Sequence, residues 1–208
     1  IRPPINAVLG LDEMILRETS EPGIKDYASD IYTSGQTLLA LINDILDISK
    51  IESGKMEIVP VEYDVSSMMH DLWNMINLRA KKKNLKLEFM VDPDIPSRLF
   101  GDDVRVRQVL TNILTNAVKY TNEGTVWVRV RRLENAPCMP DSEITLHFEV
   151  EDTGIGIKEE DMPRLFEKFR RIEEKRNRGI EGTGLGMSIT ERLLSMMDSS
   201  LSVDSIYG

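Results

Sequence analysis

Apolar residues recur at helical spacing over roughly the first fifty positions, whereas alternation of apolar and polar residues begins only after residue 54. Ile1, Ile5, Val8 and Ile15 form one stripe. Farther along, Ile31, Leu38 and Ile45 recur every seven residues, with Ser34, Leu41 and Ile48 at the interleaved position. That is the seam of a coiled coil or helical bundle. Between the two stripes, Glu18-Thr19-Ser20-Glu21-Pro22-Gly23 is made of turn residues and predicts that the helices fold back as an antiparallel hairpin. A two-helix hairpin alone buries too little apolar surface, so a homodimer closing a four-helix bundle completes it; packing on the protein's own domain is the alternative.

Ser53-Gly54 ends the second helix, and Lys55 to Tyr63 alternates like an edge strand that tolerates Pro60. A helix is predicted from about Ser66 to Lys83, a strand at Leu85–Val91, a helix at Asp103–Tyr120, and strands at Thr125–Arg132 and Glu143–Glu151. Mixed strands and helices in this order describe an α+β class. The expected architecture is an antiparallel helical hairpin over 1–53, followed over 54–208 by an α/β sandwich with helices on one face of a mixed sheet.

Composition narrows the function. The net charge of −9 repels a phosphate backbone, so no nucleic acid is expected as a partner. Lys81-Lys82-Lys83, the one tight basic run, fits an exposed helix end, where cations complement the dipole. No apolar run approaches membrane-spanning length, and no signal peptide opens the chain, so direct membrane contact is not expected and a cytoplasmic location is. Cys138 is the only cysteine, which excludes an internal disulfide and agrees with a reducing compartment. His70 and His147 lack neighbouring ligands, which argues against zinc.

The helix at 103–120 carries the most chemistry. Arg105, Gln108, Asn112, Asn116 and Lys119 share about a quarter of its circumference, opposite Val106, Leu110, Ile113 and Ala117. Asparagine costs several tenths of a kcal/mol against alanine in a helix, so two of them one turn apart need a reward from outside it. Their amide oxygens suit a hydrated magnesium ion, and Lys119 suits phosphate oxygens; a solvated polar face is the plainer alternative.

Two glycine clusters follow. Asp152-Thr153-Gly154-Ile155-Gly156-Ile157 comes directly after a strand, where glycines let backbone approach a flat ring and Asp152 can accept from an exocyclic amine. An ordinary turn would use the same residues. Gly182-Thr183-Gly184-Leu185-Gly186 opens a helix whose free N–H groups can bind phosphate, but its spacing fits neither a dinucleotide fold nor a P-loop. The charged stretch from Glu174 to Gly182 suits a lid or a plain surface loop.

Taken in order, these elements resemble the sensor histidine kinase family of two-component signalling over almost the whole chain. Ile1-Arg2-Pro3-Pro4-Ile5-Asn6 is similar to the segment after that family's phosphoacceptor, and Ile45 to Glu52 to the end of its dimerisation hairpin. Asn112, Asn116, Ala117, Lys119 and Tyr120 match its asparagine box. Its two glycine boxes are matched by Asp152, Gly154 and Gly156 and by Gly182, Gly184 and Gly186, and its phenylalanine box by Phe166 and Phe169. The resemblance implies ATP with Mg2+ at Asn112 and Asn116, which with Lys119 form the catalytic set. Asp152 would read the base beside Tyr120, Gly154, Gly156 and Ile157. The phosphates would lie under Lys119, Arg178 and Gly182, Thr183, Gly184, Leu185 and Gly186, with Phe166 and Phe169 anchoring the lid. The γ-phosphoryl would pass to a histidine and then to an aspartate of a response-regulator receiver domain.

Two departures from that family matter. Its order places the acceptor histidine just before Ile1, so this stretch is not expected to phosphorylate itself, and the family's last strand is expected beyond Gly208. Pro3 replaces a threonine or asparagine implicated in dephosphorylating the receiver, and proline has no side-chain donor or acceptor for water. Rival functions are an ATP-hydrolysing clamp of the gyrase and chaperone type, or a dimeric scaffold that binds nucleotide without catalysis. Clamps usually carry glutamate where Asn112 stands, because hydrolysis needs a base and an amide cannot take that proton.

Overall fold

The computed structural model describes residues 2–133, 142–170 and 182–208. Cys138 and Arg178 lie outside them. The chain forms two compact units, Ile1–Met56 with Glu167–Ile189, and Glu57–Phe166 with Thr190–Gly208.

The first unit is built on α1 (Arg2–Glu18) and α2 (Pro22–Glu52). Pro22 sits in the opening turn of α2, where its missing N–H costs no helical bond. Leu9 packs against Gly35, and the Tyr32 hydroxyl donates to the Glu13 carboxylate at 2.9 Å. Positions rising along α1 thus meet positions falling along α2, the antiparallel arrangement that the turn residues predict. A Cβ on Gly35 would lie 2.7 Å from Leu9 Cδ2, so this glycine permits the close approach of the helices. The helices bury Leu9, Asp12 and Ala28. Ile31, Leu38 and Ile45 remain 49%, 48% and 49% exposed. These three heptad positions therefore stay open to solvent, while Leu41 and Ile48 at the interleaved position are half-buried.

In the second unit, β2 (Lys86–Val91) pairs in parallel with β4 (Thr125–Arg132), which pairs antiparallel with β5 (Leu146–Asp152). This sheet has the order β2-β4-β5, and a separate antiparallel pair joins β1 (Val61–Asp64) to β3 (Arg98–Gly101). Val126, Val128 and Val130 alternate inward along β4. They meet Met68, Leu72, Ile76 and Ala80 of α3 (Val65–Lys82) and Leu110, Leu114, Ala117 and Val118 of α4 (Asp103–Tyr120) in one core. On the opposite face Arg129 bonds Glu149 and Glu151 at 2.7 and 2.8 Å. Asp64 caps α3 by accepting from Ser67 N–H at 2.7 Å.

The strands differ from the sequence expectation in extent and number. The strand expected from Lys55 shrinks to Val61–Asp64, because Pro60 has no N–H and the Val59 N–H donates to the Asp102 carboxylate at 2.9 Å. β3 was not anticipated: four residues after the proline-bearing stretch 92–96 are too few to display a period. β5 begins at Leu146 rather than Glu143.

Candidate functional site

Asp102 starts α4 by accepting from Arg105 N–H at 3.0 Å, and the helix runs without a break through both asparagines. Along its polar stripe, the Arg105 guanidinium donates to Gln108 Oε1 at 2.9 Å. Asn112 Nδ2 donates to Thr190 Oγ1 at 2.8 Å, tying α4 to the part of α5 (Gly186–Met196) that belongs to the same unit. The Lys119 ammonium stands 4.7 Å from the centre of the Tyr120 ring.

The end of α4 meets the first glycine turn. The Tyr120 carbonyl accepts from Ile155 N–H at 3.3 Å. Thr121, fully buried, donates to Ala117 O at 2.7 Å, and its hydroxyl lies 3.4 Å from Asp152 Oδ1. Asp152 Oδ1 also accepts from Gly154 N–H at 2.8 Å, which leaves Oδ2 as the oxygen available to a ligand. A Cβ at Gly154 would sit 2.8 Å from the Tyr120 carbonyl oxygen. Gly156 has φ +66°, and a Cβ there would collide with the Ile206 carbonyl. Ile157 N–H donates to Ser205 Oγ at 2.8 Å. Asn112, Asn116, Lys119, Tyr120, Asp152, Gly154, Gly156, Ile157 and the half-buried Phe166 thus share one unit.

Phe169, Gly182, Thr183, Gly184, Leu185 and Gly186 belong to the unit of the hairpin. There the Thr183 hydroxyl donates to Asp44 Oδ2 of α2 at 2.8 Å and accepts from Leu185 N–H at 3.1 Å. Burial raises the Asp44 carboxyl above its ordinary range, although the Thr183 bond pulls the other way. Gly184, at φ +71°, passes so close to the Arg170 carbonyl that a Cβ would lie 2.9 Å from it. Lys168 pairs with Glu52, and the Phe169 ring is 66% exposed. Arg178 lies outside the described residues.

Thr121, Thr190, Asp44 and Lys83 carry no site signal in the sequence: the contacts that bring them to the site reach across 31 residues or more, and the basic run at Lys83 points to solvent.

A family model described as histidine kinase-, DNA gyrase B-, and HSP90-like ATPase matches residues 101–208, and one for the His Kinase A (phospho-acceptor) domain matches residues 1–54. The hybrid signal transduction histidine kinase B of Dictyostelium discoideum is 41% identical over all of this chain, which spans 10% of that protein. The sensor histidine kinase GacS of Pseudomonas protegens is 35% identical over all of this chain, which spans 22% of it. Among solved structures, full-length ShkA in complex with AMPPNP superposes with a TM-score of 0.70 at 28% identity, over 95% of this chain and 39% of that one. The ATPase class is therefore established by fold and sequence together, and within it the chain belongs to the sensor histidine kinases, as their two-domain core. It covers at most about a quarter of the length of those curated relatives.

Among the described residues, no group of three or more His, Cys, Asp or Glu side chains is placed to hold a metal. A divalent cation on α4 would rest on amide oxygens, phosphate and water. This donor set fits magnesium, which takes oxygen ligands and retains part of its hydration shell. No described helix is long and apolar enough to cross a membrane.

Proposed function

We propose that the unit built around α4 binds ATP with magnesium and that the γ-phosphoryl passes to a histidine of the hairpin domain, then to an aspartate of a receiver domain. Residues 1–53 would form the dimerisation and phosphotransfer domain and residues 54–208 the nucleotide domain. The observation that carries this reading is the meeting of α4 with the first glycine turn, where Asp152 keeps one carboxylate oxygen engaged by Gly154 and offers the other. An adenine amine is a fitting donor for that oxygen.

Bound magnesium would neutralise charge on the phosphates. Asn112 and Asn116 would supply oxygens on its side of the helix, with Asn112 oriented by Thr190. Lys119 would hold the phosphates on the same unit. Phosphoryl transfer needs chiefly positioning and charge stabilisation, which such groups provide. The asparagine at 112 supports transfer over hydrolysis, because an amide is no base for water. The exposed stripe of Ile31, Leu38 and Ile45 supports a homodimer through the hairpin.

Calorimetry with ATP and GTP at saturating magnesium tests the nucleotide assignment. ATP should be preferred, and Asp152→Asn should weaken it by about 1–3 kcal/mol, the usual consequence of leaving a polar partner unpaired. Equal binding of both bases would remove the role of Asp152. Asn116→Asp should lower magnesium–ATP use, read in the full-length protein as loss of acid-labile, base-stable label from γ-labelled ATP.

A further inference from the structure

A helix leaves its last four carbonyls without intrahelical partners, and at the end of α4 those are the carbonyls of Ala117, Val118, Lys119 and Tyr120. Ala117 O accepts from the Thr121 N–H and hydroxyl, at 3.1 and 2.7 Å. Tyr120 O accepts from Ile155 of the first glycine turn at 3.3 Å. The remaining two are taken by one side chain from another helix end: Lys83 Nζ, just past α3, donates to Val118 O at 3.0 Å and Lys119 O at 2.7 Å. It donates as well to Thr121 O at 2.8 Å. An ammonium has three protons, and all three are spent on carbonyls flanking Tyr120.

We propose that Lys83 is a positioning residue for adenine recognition, holding the last turn of α4 so that Thr121 and the Tyr120 carbonyl set Asp152 and the 154–156 turn for the base. The proposal rests on the assignment of Asp152 to adenine. Tyr120 O, at the end of α4, accepts from the turn, and Thr121 Oγ1, just past it, lies 3.4 Å from Asp152 Oδ1; Lys83 holds the carbonyls on either side of Tyr120. Partial burial lowers the Lys83 pKa, because desolvation disfavours the charged form; the three carbonyls act against that loss. A methionine of similar length would keep the packing of the stem and remove every donor.

The test compares ATP with inosine triphosphate, which presents a carbonyl in place of the adenine amine, by calorimetry in magnesium buffer. Wild type should prefer ATP, and Lys83→Met should lower that preference by about tenfold, on the scale of losing a hydrogen bond made by a charged group. A purely structural lysine would lower the folded fraction and the melting temperature but leave the ATP-to-inosine ratio untouched, which overturns the proposal. Thr121→Val, nearly isosteric, is the second variant: it should lower the ratio a few-fold, and an unchanged ratio in it overturns the proposal should Lys83→Met not fold. Absence of preference in the wild type sinks the Asp152 assignment itself and the proposal with it. Preference that survives in both variants sinks the Lys83 role alone.

Discussion

In the α/β unit, Ile76, Ala80, Val126 and Val130 are wholly shielded from solvent, while along the hairpin Ile31, Leu38 and Ile45 stay about half exposed. One unit completes its core from its own strands and helices. The other turns its strongest apolar periodicity outward and holds its two helices together through Leu9, Ala28 and the bare backbone at Gly35. The difference separates two uses of apolar surface: a core closed within one unit, and a hairpin whose seam suits a second copy.

Truncation should act oppositely on the two. Ile76→Ala should cost about 2–5 kcal/mol in urea unfolding, because a fully enclosed side chain leaves a cavity behind. Leu38→Asp should leave the melting of the α/β unit unchanged and shift the sedimentation coefficient toward that of a monomer. A Leu38→Asp protein that sediments like wild type would break the comparison.

Buried carboxylates sharpen it next. Asp12 in α1 is 3% exposed and neither of its oxygens has a hydrogen-bond partner among the described residues, whereas Asp102 is buried with Val59 and Arg105 N–H groups on its two oxygens. An unpartnered buried acceptor costs about 1–3 kcal/mol, and a satisfied one costs as much when its partners are orphaned. Asp12→Leu should therefore raise the thermal midpoint of the hairpin, and Asp102→Leu should lower that of the α/β unit. A change of the same sign in both would contradict the assignment of partners.

The elements that sequence patterning reveals are those governed by local periods. α4 shows its polar stripe because eighteen residues span five turns of one helix, and β4 shows its inward valines because alternation continues for eight residues. The hairpin's inward face escapes such reasoning, since Gly35 and Ala28 carry little apolar signal and matter only through how near they let Leu9 come. The site divides the same way. Asn112, Asn116, Asp152 and the glycines stand in recognisable runs, whereas Lys83, Thr121 and Thr190 acquire their roles only when remote segments meet. The grip of Ser205 and Ile206 on the first glycine turn is likewise a matter of tertiary placement.

The smallest expected effect is one of sign. The Asp64 carboxyl is held below its ordinary range, first by the backbone N–H of Ser67, and it is fully exposed. Asp44, half-buried in the hairpin unit, is held above that range by desolvation. A depressed carboxyl contributes stability that is present above its unfolded pKa and is lost as pH falls through the lower folded value. A raised one contributes in the other direction: its share is complete below the unfolded pKa and disappears as pH rises through the higher folded value. Urea midpoints measured from about pH 3 to about pH 7, spanning the ordinary carboxylate range, should separate the two. Wild type should lose its advantage over Asp64→Asn as the solution is acidified, and it should fall behind Asp44→Asn as the solution is made neutral. Added salt should shrink the Asp64 difference, since an exposed charge is screened, while the Asp44 difference, which arises from burial, should persist.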